Sequence, residues 1–507
     1  MKKLKAILAV LLILAFVLPL FAACGEKDQQ TDKPAQTDKP KSTAGEENDG
    51  TEGKTETDDD EEWPIEVVDM GEKTFTILTA GWGGDGNLTK DIGAEEITDD
   101  PIEDAAYDRR IKLEEMYNCK IVQVNFGEND TAVNNYIDSV MAGTGDYDFA
   151  VTNCTNFEVL LTSSCLLDLE DMPYVDMDKP YWQKRFYESM AILGRHYAAI
   201  GDITKRRMEA VQLLCFNKDI IQEYNLESPY DLVENQEWTY DKMHEMAKKV
   251  AKDLNTDGKM ERMDDMWGIN YTGDTIMGII NSVGVNLAEL DEEGIPQLTV
   301  TNQTNLDKLM RIFENMRDNT YCIDTLFMSG GGTSGIPDAQ IFGESRCLFL
   351  ACAAHNATQL REIDVNFGVI PYPKWDLAQE TYLPHTGGNY HPVLSVPKTN
   401  DDLENTGLIL EAMSYEGMRT IIPAFYEGLL KIKAAGRDDE SADMIDYIFG
   451  NLSYDVGNMY GFGGIVGVMG YTMSTDMRAN IVSQVEKNSG KWQRAINAVV
   501  EGVEKND

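Results

Sequence analysis

Apolar and polar positions along the chain fall into two alternating rhythms. Lys73 to Thr79 (K-T-F-T-I-L-T) is rich in β-branched residues and predicts a short strand. From Glu103 to Asn118, Ala106, Ile111, Leu113 and Met116 recur among charges at helical spacing. Cys119 to Phe126 predicts strand, Thr131 to Met141 helix, and Tyr147 to Thr152 a third strand closed by Asn153. Strand, helix, strand, helix, strand implies βαβ units and a mainly parallel sheet. A less regular stretch with Trp182 and Tyr197 follows. Met208 to Phe216 then predicts a strand that opens a second α/β series. That series has helices to about Tyr224, from Tyr240 to Lys252, and near Thr275 and Leu306. Its strands fall at Trp267 to Asn270, Cys347 to Ala353 and Asn366 to Pro371. Gly388 to Val396 is one more strand, and the remainder reads as mostly helical. The simplest partition is two α/β lobes, 63–207 with 390–440 and 208–389 with 441–507.

The first 62 residues do not share these rhythms. Lys2, Lys3 and Lys5 precede an apolar run from Ala6 to Phe21, and Phe21-Ala22-Ala23-Cys24 reads as a small-residue cleavage site. The run is short for a membrane-spanning helix. Residues 1–23 resemble a bacterial lipoprotein signal, with Phe21 where such signals usually have Leu. The resemblance implies diacylation of Cys24, and two acyl chains suffice for stable anchoring. Residues 24–62 carry fourteen acids and five lysines, a tandem Q-T-D-K-P repeat, and no apolar residue larger than Ala after Cys24. Such a segment cannot offset its ordering entropy and is expected to be a disordered acidic tether, on the order of 35 Å in reach.

Charge narrows the partners. The chain of 507 residues has 87 Asp and Glu against 44 Lys and Arg, a formal net charge of −43. A phosphate backbone is bound by neutralising it with base, so nucleic acid is excluded as a partner. Of eight cysteines, Cys24 is assigned to lipid. The other seven are scattered among apolar neighbours, with no C-x-x-C pair, and are expected to be buried free thiols and not a disulfide framework.

Five short motifs carry a more specific signal. Glu209-Ala210-Val211-Gln212-Leu213-Leu214-Cys215-Phe216-Asn217-Lys218-Asp219 is followed by Trp238-Thr239-Tyr240-Asp241 and by the Asp253 to Gly268 segment. Phe367-Gly368-Val369-Ile370-Pro371-Tyr372-Pro373 comes next, then Gly387-Gly388-Asn389 with Leu394-Ser395-Val396-Pro397-Lys398. In this order the series resembles extracellular solute-binding proteins of ABC importers, in the family 1 cluster that includes carbohydrate binders. The last part of the chain looks similar to a clostridial-type subgroup. The resemblance implies an α/β, two-lobed periplasmic-binding-protein-like fold with a ligand cleft between lobes. It further implies ABC permease subunits in the membrane as partners, a monomer, and no required cofactor.

Signatures of catalysis are missing from the sequence. There is no H-E-x-x-H, no G-x-S-x-G and no Walker sequence. Gly81-Trp82-Gly83-Gly84-Asp85-Gly86 satisfies G-x-G-x-x-G, but Asn87 to Pro101 is polar and interrupted where a dinucleotide site needs a helix. These glycines fit a loop at the carboxyl end of the first strand, with Trp82 as a sugar-stacking platform or a packing residue. Strand ends supply the other ligand candidates: Asn153, Asn156 and Phe157, then Arg206 and Arg207, His355 and Asn356, and Asn389 with Tyr390 and His391. Amides and Arg offer paired donors and acceptors to hydroxyls, while aromatic faces cover sugar C–H surface. His385 and His391 alone fall short of a zinc site.

The spacing Asp253, Asn255, Asp257, Gly258, Lys259, Glu261, Asp264 follows an EF-hand loop. Oxygen donors fall at positions 1, 3 and 5, a backbone carbonyl at Lys259, and Asp264 where a bidentate Glu is usual. The spacing predicts either a structural Ca²⁺ site or a solvated Asx-rich turn. The sequence thus points to a membrane-anchored extracytoplasmic binding protein for a small solute, most readily a sugar or oligosaccharide. The alternatives are a secreted lipoprotein glycoside hydrolase, which would need two carboxylates across the scissile bond, and a surface adhesion or sensor module.

Overall fold

The computed structural model describes residues 63–80, 90–271, 275–324, 336–360, 365–387, 391–436, 439–473 and 479–506. Within this unit two sheets form the centres of two lobes.

The first sheet contains β1 (Lys73–Thr79), β2 (Cys119–Asn125), β3 (Phe149–Asn153) and β11 (Pro392–Ser395), in the order β11-β3-β1-β2. β1 runs parallel to both β2 and β3, while β11 returns antiparallel on β3, pairing Pro392 with Asn153. The helix Pro101–Tyr117 connects β1 to β2. Asp100 caps it, accepting from the N–H groups of Ile102 and Glu103, and Asn118 ends it in the left-handed region. Leu78, Ala150, Phe157 and Val393 share an apolar core with Tyr460, Ile496, Val499 and Val503.

The second sheet holds β4 (Gln212–Asn217), β5 (Trp267–Tyr271), β8 (Cys322–Asp324), β9 (Cys347–Ala353) and β10 (Phe367–Ile370), ordered β10-β4-β9-β5-β8. The mainly parallel sheet expected from the first series is the first sheet, whereas the second is mixed. β5 pairs in parallel with β8 and β9, whereas β4 is antiparallel to both β9 and β10. Every residue of β4, β5, β9 and β10 is buried. One face packs Leu214, Phe216, Ile269 and Phe349 against Trp238 and Tyr240; the other packs Leu213, Cys215 and Leu350 against Phe425 and Ile445. A two-stranded hairpin, β6 (Ala288–Leu290) with β7 (Pro296–Leu298), was not foreseen from the sequence.

The strand expected from Met208 begins later. Arg206–Glu209 forms a helical turn, because Glu209 reaches back to Lys205 and Arg206, both at 3.0 Å. The last helix, Ile481–Asn506, is about 39 Å long at 1.5 Å per residue. It buries Val485 and Trp492 in the second lobe's core and Ile496, Val499 and Val503 in the first's. Val456, Met459, Tyr460 and Phe462 also pack with the first lobe. All seven described cysteines are buried and outside disulfides, with Cys215 and Cys352 bringing their sulfurs to 3.6 Å. Among the described residues no helix is long and apolar enough to cross a membrane.

Candidate functional site

Three of the passages that the chain makes between the two lobes lie side by side. The first runs from Thr204 into β4, the second from His385 into β11, and the third from Ser453 to the short helix Val456–Tyr460. Gln212 N–H donates to His385 O at 2.9 Å and Gly387 N–H to Ala210 O at 2.8 Å, joining first to second. Ser453 N–H donates to Pro384 O at 2.8 Å, joining second to third. His385 bridges the same pair. Its Nδ1 lies 3.1 Å from Ser453 O and must donate to that carbonyl, so Nε2 accepts from Asn458 Nδ2 at 2.5 Å. Burial pushes the His385 imidazole down to about 4, keeping it neutral.

Parallel strands aim their carboxyl ends at a common rim. In the first lobe β1, β2 and β3 end at Thr79, Asn125 and Asn153, beside the start of β11. In the second, β5, β8 and β9 end at Tyr271, Asp324 and Ala353, beside Gln212 at the start of β4. Ligands meet open α/β sheets at such ends.

The described candidates fall on this rim, with different freedom. Asn153 is buried; its N–H donates to Asn129 Oδ1 at 2.9 Å, and Pro392 pairs beside it. His355 is half-buried at the start of the helix after β9, its Nδ1 3.3 Å from Glu209 O on the first crossover. Arg207 is paired with Asp202, whose carboxyl burial raises and Arg207 partly offsets. Phe157 is fully buried and stacks on Tyr460 at 5.5 Å and 13°, which places it in the core. Asn156 stands between these on a short turn of helix. Trp82, Asn389, Tyr390 and Cys24 lie outside the described residues.

Charges at the first crossover balance. Lys205 and Arg206 hold Glu209; burial would raise that carboxyl, but the two cations outweigh it and keep it below the usual range. Arg207 holds Asp202. Buried Asp91 accepts from Thr204 Oγ1 at 3.1 Å and Lys205 N at 2.6 Å. Three cations thus face three carboxylates, while buried Arg109 also acts on Asp91 and Asp100 on Lys205.

Features that the sequence did not single out also line the rim. A cavity of about 300 Å³ opens beside the carboxyl end of β2, bordered by Lys90, Glu95, Glu96, Glu103, Gln123 and Asn125. Gln123 holds its floor, donating to Thr79 Oγ1 at 2.7 Å and accepting from Gly93 N–H at 3.0 Å. Phe186 and Tyr454 form an aromatic cluster at the crossovers with His391, the one of the three that the sequence marked. No local pattern marks Gln123, Phe186 or Tyr454, since their partners are distant in sequence.

The Asp253 loop closes on its own backbone. Asp253 accepts from Thr256 N–H at 2.6 Å and Gly258 N–H at 2.8 Å, Asn255 from Asp257 N–H, and Asp257 from Lys259 N–H. Gly258 has φ +81°, as the sharp turn requires. Asp265, and not Asp264, turns back into the loop, accepting from Leu254 and Glu261 N–H groups at 2.8 and 2.6 Å. Among the described residues no three His, Cys, Asp or Glu side chains are grouped closely enough to hold a metal ion as they stand.

No protein-family model matches the chain, and no curated protein sequence matches it. Solved structures do. One is an ABC substrate-binding protein from Listeria monocytogenes in complex with cycloalternan, at TM-score 0.52 and 13% identity, covering 85% of this chain and 98% of that one. Another is UspC of Mycobacterium tuberculosis, at TM-score 0.51 and 13% identity, covering 84% and 100%. The GacH receptor of Streptomyces glaucescens, solved unliganded and with acarbose, gives 0.50 and 13%, covering 86% and 98%. The chain has the two-lobed fold of periplasmic binding proteins.

Proposed function

We propose that this protein is a solute-binding protein of an ABC importer, and that its ligand is a neutral sugar or oligosaccharide. The observation that carries the reading is the charge-balanced base of the cleft, where Lys205, Arg206 and Arg207 are already matched by Glu209, Asp202 and Asp91. A charged amino acid or phosphate held there would leave one charge in excess, whereas hydroxyls need only donors and acceptors. The similar chains from L. monocytogenes and S. glaucescens, solved with cycloalternan and acarbose, support the same class. In this reading Asn153, Asn156, His355, Asn389 and Tyr390 offer polar contacts and Trp82 a stacking face. Cys24 carries the lipid that anchors the protein outside the cytoplasm, and residues 24–62 tether the monomer within reach of its permease. No covalent chemistry is involved.

We also propose Ca²⁺ for the Asp253 loop, on its oxygen spacing. The hydrogen bonds there use only some of the carboxylate lone pairs, and an ion would draw Asp253, Asp257 and Glu261 together. A melting temperature raised by Ca²⁺ and insensitive to it in Asp257→Ala supports this; no shift at millimolar Ca²⁺ removes it.

The main reading is tested by purifying the protein from its membrane and identifying the co-purified ligand by mass spectrometry, followed by a glycan panel. A thermal shift with the glycan recovered intact supports binding, and cleavage products would support the hydrolase instead.

A further inference from the structure

Five buried polar atoms without partners lie where the crossovers meet. Among the described residues, Gln212 Oε1, Thr386 Oγ1, Asn458 Oδ1 and both ring nitrogens of His391 are buried and unpaired. Such groups are few in a native interior, and each costs its desolvation. His391 is the extreme member. Its backbone is fixed, because Cys154 N–H donates to His391 O at 3.1 Å. Its ring is fully buried, stacked on Tyr454 of the third crossover at 6.1 Å and 20°, with Phe186 edge-on at 6.2 Å and itself against Tyr454 at 5.3 Å.

We propose that His391 is an acid-sensitive latch of the hinge: neutral, it seals the seam between the crossovers, and protonated, it must reach water and loosens the seam. The groups around it all oppose a second proton. Arg206 and Arg207 face it from the first crossover and His385 from the second, while Tyr454 is a phenol whose burial keeps it neutral. Asp202, the nearest carboxylate named on that side, is already held by Arg207. Burial first, and then His385, Arg207 and Arg206, push the imidazole down to about 3 while it stays in place. Hydrated, it would titrate near about 6.5, so a proton from solvent favours the loosened seam below that pH. Asp455, on the third crossover, is pushed up to about 6 and titrates in the same window, but its uptake favours the buried place it already holds.

The opening itself does not depend on the ligand reading; the effect on affinity does, because a ligand gripped by both lobes needs the seam shut. The test is small-angle scattering of the ligand-free protein at pH 7.5 and 5.0, for wild type, His391→Phe and His391→Gln. Both substitutions remove the titration, and Gln does so without adding an apolar ring, so one folded variant is sufficient. The expected result is a larger radius of gyration at pH 5.0 in wild type and none of that change in the variants. Variants that expand as wild type does, or a wild type that does not expand, overturn the proposal. In parallel, affinity for a maltooligosaccharide panel is measured across the same range. One linked proton weakens binding by at most tenfold per pH unit, and the variants should be flat. Expansion without binding of any glycan would leave the latch standing and count against the sugar reading.

Discussion

Asp455 Oδ2 accepts the backbone N–H of Leu287 at 2.7 Å, tying the third crossover to the segment that enters the β6–β7 hairpin. The same carboxylate accepts from Ala288 N–H at 3.3 Å, Gly457 N–H at 2.8 Å and Asn281 Nδ2 at 3.1 Å. Asp455→Ala leaves these donors buried without an acceptor, and a loss of about 3 kcal/mol or more is expected in urea unfolding.

Asp455 also sets a pH dependence of defined sign. Burial outweighs its four hydrogen bonds and pushes it up to about 6. A raised carboxyl contributes stability that is full below about 4 and lost as pH rises through about 6. Wild type should therefore gain on Asp455→Asn as pH falls from 7 to 5. Comparing the two cancels the opposite effect of His385 and His391, whose depressed values favour the fold at high pH.

Gly417 marks a close approach. A Cβ there would stand 1.9 Å from Asp202 O, where the helix Leu403–Arg419 presses on the chain before the first crossover. The two nearest atoms, Asp202 O and C, belong to the backbone, and Arg109 Nη1 follows at 3.1 Å. Gly417→Ala should cost on the order of 3 kcal/mol, read from the urea midpoint at unchanged slope.

Phe157 and Trp82 should separate cleanly. Phe157→Ala opens the Tyr460 stack and should lose about 3–5 kcal/mol of stability with affinity unchanged in the folded fraction. Trp82→Ala should leave stability nearly unchanged and weaken a sugar by roughly 1–3 kcal/mol. Isothermal titration beside thermal melts distinguishes the two.

The contrast also shows what local pattern encodes. Lys73–Thr79 and Cys347–Ala353 are strands at the bounds their composition predicts, because β-branched and apolar runs specify a buried strand directly. Strand direction is not written locally, and nothing in the sequence marks the β10-β4-β9 edge as antiparallel. Met208 and Val211 read as strand, yet Glu209 finds Lys205 and Arg206 at helical spacing and curls the chain. Phe157 follows a strand end as a ligand residue would, and only the distant Tyr460 makes it core. Three-residue strands such as Cys322–Asp324 are too short to leave a periodic signal.

The central claim is that two lobes close on a neutral glycan without consuming it. Small-angle scattering at pH 7.5, with and without the glycan identified by mass spectrometry, tests it most directly when the solute is assayed afterwards. A ligand that grips both lobes stabilises the closed state by its differential affinity. The account predicts a smaller radius of gyration on saturation, with the glycan recovered unchanged. An unchanged radius together with shortened glycan would contradict it and assign the protein to glycoside hydrolysis.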